Sequence, residues 1–184
     1  MATDSFTRPD GALGANWTVE AGSVVIASHA ATSGTLNVSC QAIWTANSFT
    51  NDQSSEVTFV SIGSGSFAGP LIRYTTGGGG NFYFVSYGQG AGNLNLFKVI
   101  AGSQSALATT AFTVNNGDKL GIEATGTTIT VKVNGVVKQS VSDSSLATGS
   151  PGMIFFDPSV HTSISPWTGT SLSVSTKASF FIMT

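Results

Sequence analysis

With 184 residues and 41% hydrophobic content, the chain can bury a sizeable core and lacks the composition of a disordered polypeptide. Only 9% of its residues are charged, against a usual ~25%. The net charge of −2 leaves no basic surface for a phosphate backbone or an anionic lipid surface, so nucleic acid is excluded as a partner. No stretch is long and apolar enough to insert into a membrane. Cys40 stands alone, which rules out an intrachain disulfide and any cysteine-based metal site, and its neighbours Val38 and Ala42 mark it as a small core residue.

The opening Met1-Ala-Thr-Asp-Ser-Phe has no basic segment followed by an apolar run, so the expectation is cytoplasmic synthesis without a signal peptide. From there, period-two alternation runs from end to end and no segment carries a helical period. Residues 16–20 and 23–28 read as strands flanking Ala21-Gly22, and residues 53–62 as a strand ending in Gly63-Ser64-Gly65. Residues 67–74 and 81–87 flank the four glycines 77–80, and residues 93–100 and 105–113 flank Ala101-Gly102.

The clearest hairpin pairs residues 119–125 with 127–134. Leu120, Ile122 and Ala124 alternate with polar positions, as do Ile129, Val131 and Val133. Such alternation belongs to an antiparallel sheet with one buried face, and Glu123 and Lys132 fall diagonally across the polar face. Asn134-Gly135, a strong hairpin signal, leads into a strand over 136–141. Residues 153–156 and 171–181 read as the last strands, and residues 157–169, with Pro158, His161, Pro166 and Trp167, as an irregular loop. A dozen short strands punctuated by Gly, Asn and Ser predict one all-β domain over residues 1–184, a two-sheet antiparallel jelly-roll sandwich.

Two stretches carry a resemblance. Asp4-Ser-Phe6-Thr-Arg8-Pro-Asp10-Gly11-Ala-Leu13-Gly14-Ala-Asn16-Trp17 resembles the first strand and turn of concanavalin A-like lectin/glucanase domains. The hairpin ending in Asn134-Gly135, followed by Gly149-Ser-Pro-Gly152-Met-Ile154, is similar to its laminin G-like branch. These motifs are turn and core positions, so they speak for fold far more than for function. The resemblance implies lectins, adhesion modules, glycoside hydrolases or virion domains. It implies no obligatory cofactor but admits structural calcium, for which Asp10, Asp118 and Asp157 lie in or beside turns; plain turn formation is the favoured explanation for them.

Hydrolases of the resembling group place two carboxylates on one strand, where alternation gives them a common face. Of the nine acids here, Asp4, Asp10, Glu20, Asp52, Glu56, Asp118, Glu123, Asp143 and Asp157, Asp52 and Glu56 come nearest to such a pair, and Asp52 falls in a turn. His29 and His161 are far apart, no Gly-x-Ser-x-Gly elbow occurs, and the glycine run 77–80 has neither a following helix nor a lysine to make a phosphate cradle. The chain is therefore expected not to be an enzyme.

Sugar recognition needs an aromatic ring to stack on the sugar face and polar groups for its hydroxyls. If Phe82 and Phe84 face the core, Tyr83 and Tyr87 look outward, and Arg73, Gln89 and Asn93 join them in a glycan platform; Trp167, on the loop, is the other candidate. Trp17 reads as core and Trp44 as either. The charge-poor, Gly/Ser/Thr/Asn-rich composition suits a phage virion module exposed at an extracellular surface after lysis. Its expected partners are capsid or tail subunits and host glycans. Phe180-Phe181-Ile182-Met183 needs a second cover, which points to a homo-oligomer or a larger assembly. A stand-alone lectin and a glycoside hydrolase are the competing readings.

Overall fold

The computed structural model describes residues 1–77, 79–88 and 90–173. Its elements are all strands: β1 Ala2–Asp4, β2 Gly11–Ala12, β3 Trp17–Ala21, β4 Val24–Ala27, β5 Ala30–Ser33, β6 Ser39–Trp44, β7 Gln53–Ser61 and β8 Phe67–Thr75. Then come β9 Asn81–Gly88, β10 Asn93–Ile100, β11 Ser103–Ala111, β12 Lys119–Thr125, β13 Thr128–Val133, β14 Val136–Ser142, β15 Ser150–Phe156 and β16 Ser163–Ser171. They form a jelly-roll sandwich of two antiparallel sheets. One runs β14-β13-β12-β7-β16-β5-β4-β2, with β1 also paired to β16; the other runs β11-β10-β9-β8-β15-β6-β3.

Alternation decides which side chains enter the space between the sheets. The expected hairpin forms as β12 and β13, with Ile122 opposite Val131 and Ala124 opposite Ile129, all buried. Burying an isoleucine in full contributes about 2 kcal/mol, so a one-residue slip that exposed Ile122 and Ile129 is strongly disfavoured. On the solvent face, Lys132 Nζ donates to Glu123 Oε2 at 2.7 Å across the diagonal.

All three tryptophans enter the core. Trp44 and Trp167 stack with centroids 5.1 Å apart, and Trp17 meets their edges at 5.2 and 4.7 Å. Each indole N–H finds an acceptor: Trp17 in Asp4, Trp44 in Asn47, and Trp167 in the Ser55 hydroxyl. Asp4 also receives the Phe6 amide and a bidentate pair from Arg8 at 2.7 and 2.9 Å. The N-terminal segment is thus anchored by a buried carboxylate that four donors satisfy.

Four expectations need correction. Residues 157–169 are a loop only as far as residue 162: β16 begins at Ser163 and pairs with β7 through Ser171, with register shifts around Ile164 and Trp167 that hid the alternation. Strands β3 and β4 do not pair with each other; Gly22, at φ +58°, carries the chain from one sheet to the other. Strands β1, β5 and β6 escaped the sequence reading because β1 and β5 are three and four residues long and β5 and β6 are buried on both faces, leaving no alternation to read. Finally, Arg73 does not look outward. Arg73 adopts φ +55° where the β8–β9 register shifts, which turns its side chain inward beside Ile72 and sends Tyr74 to the opposite side with Leu71. Phe180, Phe181, Ile182 and Met183 lie outside the described residues.

Candidate functional site

The aromatic faces of β9 are the reverse of those inferred from sequence. Tyr83, Val85 and Tyr87 join the core between the sheets, while Phe82 and Phe84 form a second cluster on the outer face of the seven-stranded sheet with Ile43, Leu71, Tyr74, Val99 and Ile154. The rings of this outer cluster run in a chain: Tyr74–Phe82 at 5.5 Å, Phe82–Phe84 at 5.6 Å, and Phe84 stacked on Phe97 at 5.1 Å.

Beside that cluster opens a cleft of about 390 Å³, lined by Ser39, Phe67, Phe84, Ser86, Phe97, Gln104, Ile154 and Phe156. Strand register builds it. Phe84 lies between Phe97 and Leu71, and Phe67 lies between Gly88 and Phe156, which is next to Ser39. A β-carbon on Gly88 would stand 2.6 Å from the Phe67 ring, so that ring lies in the space the glycine leaves. Phe67 and Phe156 remain 42% and 38% exposed, large for aromatic residues on an otherwise covered face. No lining residue is charged.

Of the six residues expected to form a glycan platform, the structure leaves one on this face. Asn93 stands opposite Gly88, in the row of Phe67 and Phe156. Gln89 lies outside the described residues. Tyr83 is fully buried: its hydroxyl donates to Asp143 Oδ1 at 2.6 Å and accepts the Leu146 amide at 3.0 Å. Burial, then the Asp143 carboxylate, pushes this phenol up to about 12. Asp143 moves the other way. Burial raises it, but hydrogen bonds from Lys98 Nζ at 2.7 Å, from Tyr83 and from Ser145 outweigh that and hold the carboxyl well below the usual range.

Arg73, 2% exposed, ties three loops together by donating to the carbonyls of Asn51, Leu146 and Gly126 at 3.0, 2.8 and 2.8 Å. Tyr87 packs in the core, and Trp167 is buried in the tryptophan cluster. These four side chains are therefore positioned to hold the fold and present no open sugar-stacking surface.

The carboxylates divide similarly. Asp10 accepts the Ser28 amide, and Asp118 accepts the Asn115 amide and the Asn134 side chain, which is turn formation. Asp157 is fully buried and takes the Ser33 hydroxyl, and its Oδ1 has no partner among the described residues. His161 Nδ1 sits 2.8 Å from the same Ser33 hydroxyl. Serine, histidine and aspartate meet here in the wrong order for nucleophilic catalysis: both partners converge on a buried serine, with no imidazole between serine and acid. Glu56 and Glu123 line a shallow pocket on the outer face of the nine-stranded sheet, each facing a lysine: Lys119 at 3.9 Å and Lys132 at 2.7 Å. Among the described residues no group of three His, Cys, Asp or Glu side chains comes together to hold a metal.

The sequence reading missed Phe67, Phe97, Gln104 and Phe156. Their signal was an aromatic excess on β8, β9, β10 and β15: Phe155 joins the core with Tyr83 and Tyr87, which leaves Phe67, Phe82, Phe84, Phe97 and Phe156 to the outer face.

No protein-family model matches the chain, and no curated protein matches it. Solved structures do. The carbohydrate-binding module CBM66 from Bacillus subtilis is similar at 18% identity and TM-score 0.71, over 89% of this chain and 100% of that one. The exoplasmic/lumenal domain of VIP36, in a form bound to Ca²⁺ and Man3GlcNAc, is similar at 12% identity and TM-score 0.62, over 87% and 85%. The Crh5 transglycosylase is similar at 14% identity and TM-score 0.62, over 90% and 82%. At such identities the likeness is one of fold: the chain shares the two-sheet jelly-roll sandwich with these three structures.

Proposed function

We propose that this chain is a non-catalytic glycan-binding module whose site is the phenylalanine cleft on the outer face of the seven-stranded sheet. The observation that carries the reading is the pair Phe67 and Phe156, left 42% and 38% exposed at the lip of a cleft of about 390 Å³. Exposed rings on a rigid sheet stack on the apolar face of a sugar, and the cleft lies within the size range of small-ligand sites. Ser39, Ser86 and Gln104 supply uncharged hydrogen-bonding groups at its walls. That structures of this fold include a carbohydrate-binding module and a mannose-oligosaccharide complex supports the same reading.

Calcium is not needed at this cleft, which has no carboxylate. The absence of catalysis is supported by the lysines that already engage Glu56 and Glu123. Service in a phage virion or a comparable surface assembly, in decoration or adhesion, draws support from the charge-poor composition and from Val136 and Val137, exposed on the edge strand β14. Co-purification with capsid or tail subunits from the native source tests that part. For glycan binding the test is a glycan array probed with the wild-type chain and with the Phe67→Ala/Phe156→Ala variant. Binding by the first that is lost in the second supports the cleft. Absence of any glycan signal, or a signal that survives the substitutions, overturns it.

A further inference from the structure

Resting on that reading, we infer that the cleft selects a neutral glycan unit bearing a methyl group, a 6-deoxyhexose or an acetylated sugar, with the methyl seated against the phenylalanine rings. The argument begins with what the cleft lacks. No charged side chain lines it, and the cations on neighbouring strands are committed elsewhere: Arg73 to loop carbonyls and Lys98 to Asp143. A uronate or sialate would have to shed water from its carboxylate with no cation to receive it, which is costly.

The walls add a second constraint. Four of the lining residues are phenylalanine and one is isoleucine, against two serines and one glutamine. Phenylalanine has no polar handle, unlike tyrosine or tryptophan, so a hydroxyl pressed against these rings loses its water and gains nothing. Phe84 and Phe97, stacked at 5.1 Å, close the inner end of the cleft with carbon, while Ser39 and Gln104 offer polar atoms at its sides. A sugar that fits buries a hydroxyl-free corner and keeps its remaining hydroxyls towards the polar groups and solvent. The methyl of a 6-deoxyhexose and that of an acetyl group present the same chemistry.

Matched sugars decide it. Calorimetric titration of the wild-type chain with the methyl glycosides of L-fucose and L-galactose, which differ only at C6, and of N-acetylglucosamine and glucose, separates the two sources of the methyl. Methyl glucuronide serves as the charged comparator. At least one methyl-bearing sugar should bind about 10-fold more tightly than its matched partner. Saturation-transfer NMR should show its methyl protons receiving the strongest transfer, and both effects should vanish in Phe67→Ala and in Phe156→Ala. Because those residues are partly exposed, the variants should melt with the wild type; Gln104→Ala, on the edge strand β11, weakens binding without touching the rings and provides the control should either fail to fold. Equal or tighter binding of the unmethylated partners, or preference for the glucuronide, overturns the methyl selection and leaves glycan binding standing. If no sugar binds at all, the glycan reading falls with it.

Discussion

The two faces of β9 carry equal numbers of aromatic rings and opposite duties. On the inner face Tyr83 and Tyr87 sit in the core, and the Tyr83 hydroxyl belongs to a closed network with Asp143, Lys98 and the Leu146 amide. On the outer face the buried rings of Phe82 and Phe84 form a packed row that continues through Phe97 to the cleft. The polar ring lies inside because the protein supplies partners for its hydroxyl, and the apolar ring lies outside because its neighbours cover it. Alternation separates the faces; polarity does not say which of them is the core.

The largest contrast comes from deleting a ring on each side. Trp167→Ala removes a fully buried indole that stacks on Trp44 and bonds Ser55, and should cost about 3–5 kcal/mol in a denaturant titration. A loss below about 1 kcal/mol would mean that the tryptophan cluster is not the keystone of the core. Tyr83→Phe keeps the ring and removes only the hydroxyl, leaving Asp143 and the Leu146 amide short of a partner. It should cost about 1–3 kcal/mol and leave ligand affinity unchanged. A variant that binds less well without being less stable would return Tyr83 to the site.

Titration separates the faces without mutation. The Asp4 carboxyl is raised by burial but lowered further by Arg8, Trp17 and the Phe6 amide, and Asp143 is likewise held low. Groups depressed in the folded state contribute stability above their unfolded value near ~3.9 and lose it as the pH falls, so the chain should soften below about pH 4. Tyr83, raised to about 12, works in reverse: its contribution is complete below about pH 10 and fades as the pH climbs towards 12. No residue lining the cleft titrates in the interval between, so ligand affinity should stay flat there. Melting curves paired with binding isotherms across that range check both halves, and a bell-shaped affinity would place an ionisable group in the site.

The fold was legible where chemistry repeats. Leu120, Ile122 and Ala124 against Ile129, Val131 and Val133 announce a two-residue period, and Asn134-Gly135 marks its turn. The site was less legible because alternation does not say which face of β9 is the core, and on β8 one backbone torsion and one register shift break the alternation as well. A single residue of positive φ at Arg73 exchanges the faces of the following positions, and nothing in Ile72-Arg73-Tyr74 gives notice of it. Trp167 misled for a related reason: Pro158 and Pro166 look like loop residues, and β16 passes through Pro166 at the point where its pairing with β7 shifts.

The smallest effect on stability should accompany the largest effect on function. Phe67 and Phe156 are partly exposed, so replacing both by alanine should shift the unfolding free energy by no more than about 1 kcal/mol. One calorimetric comparison therefore tests the outer-face site most directly: the glycan identified on the array, titrated into the wild-type chain, the Tyr83→Phe variant and the Phe67→Ala/Phe156→Ala variant. The predicted result is equal affinity for the first two proteins and no measurable heat for the third, with melting temperatures showing the third to be folded. Retained binding in the folded double variant, or loss of binding in Tyr83→Phe, would contradict the assignment and return the site to the inner face of β9 or to the loops.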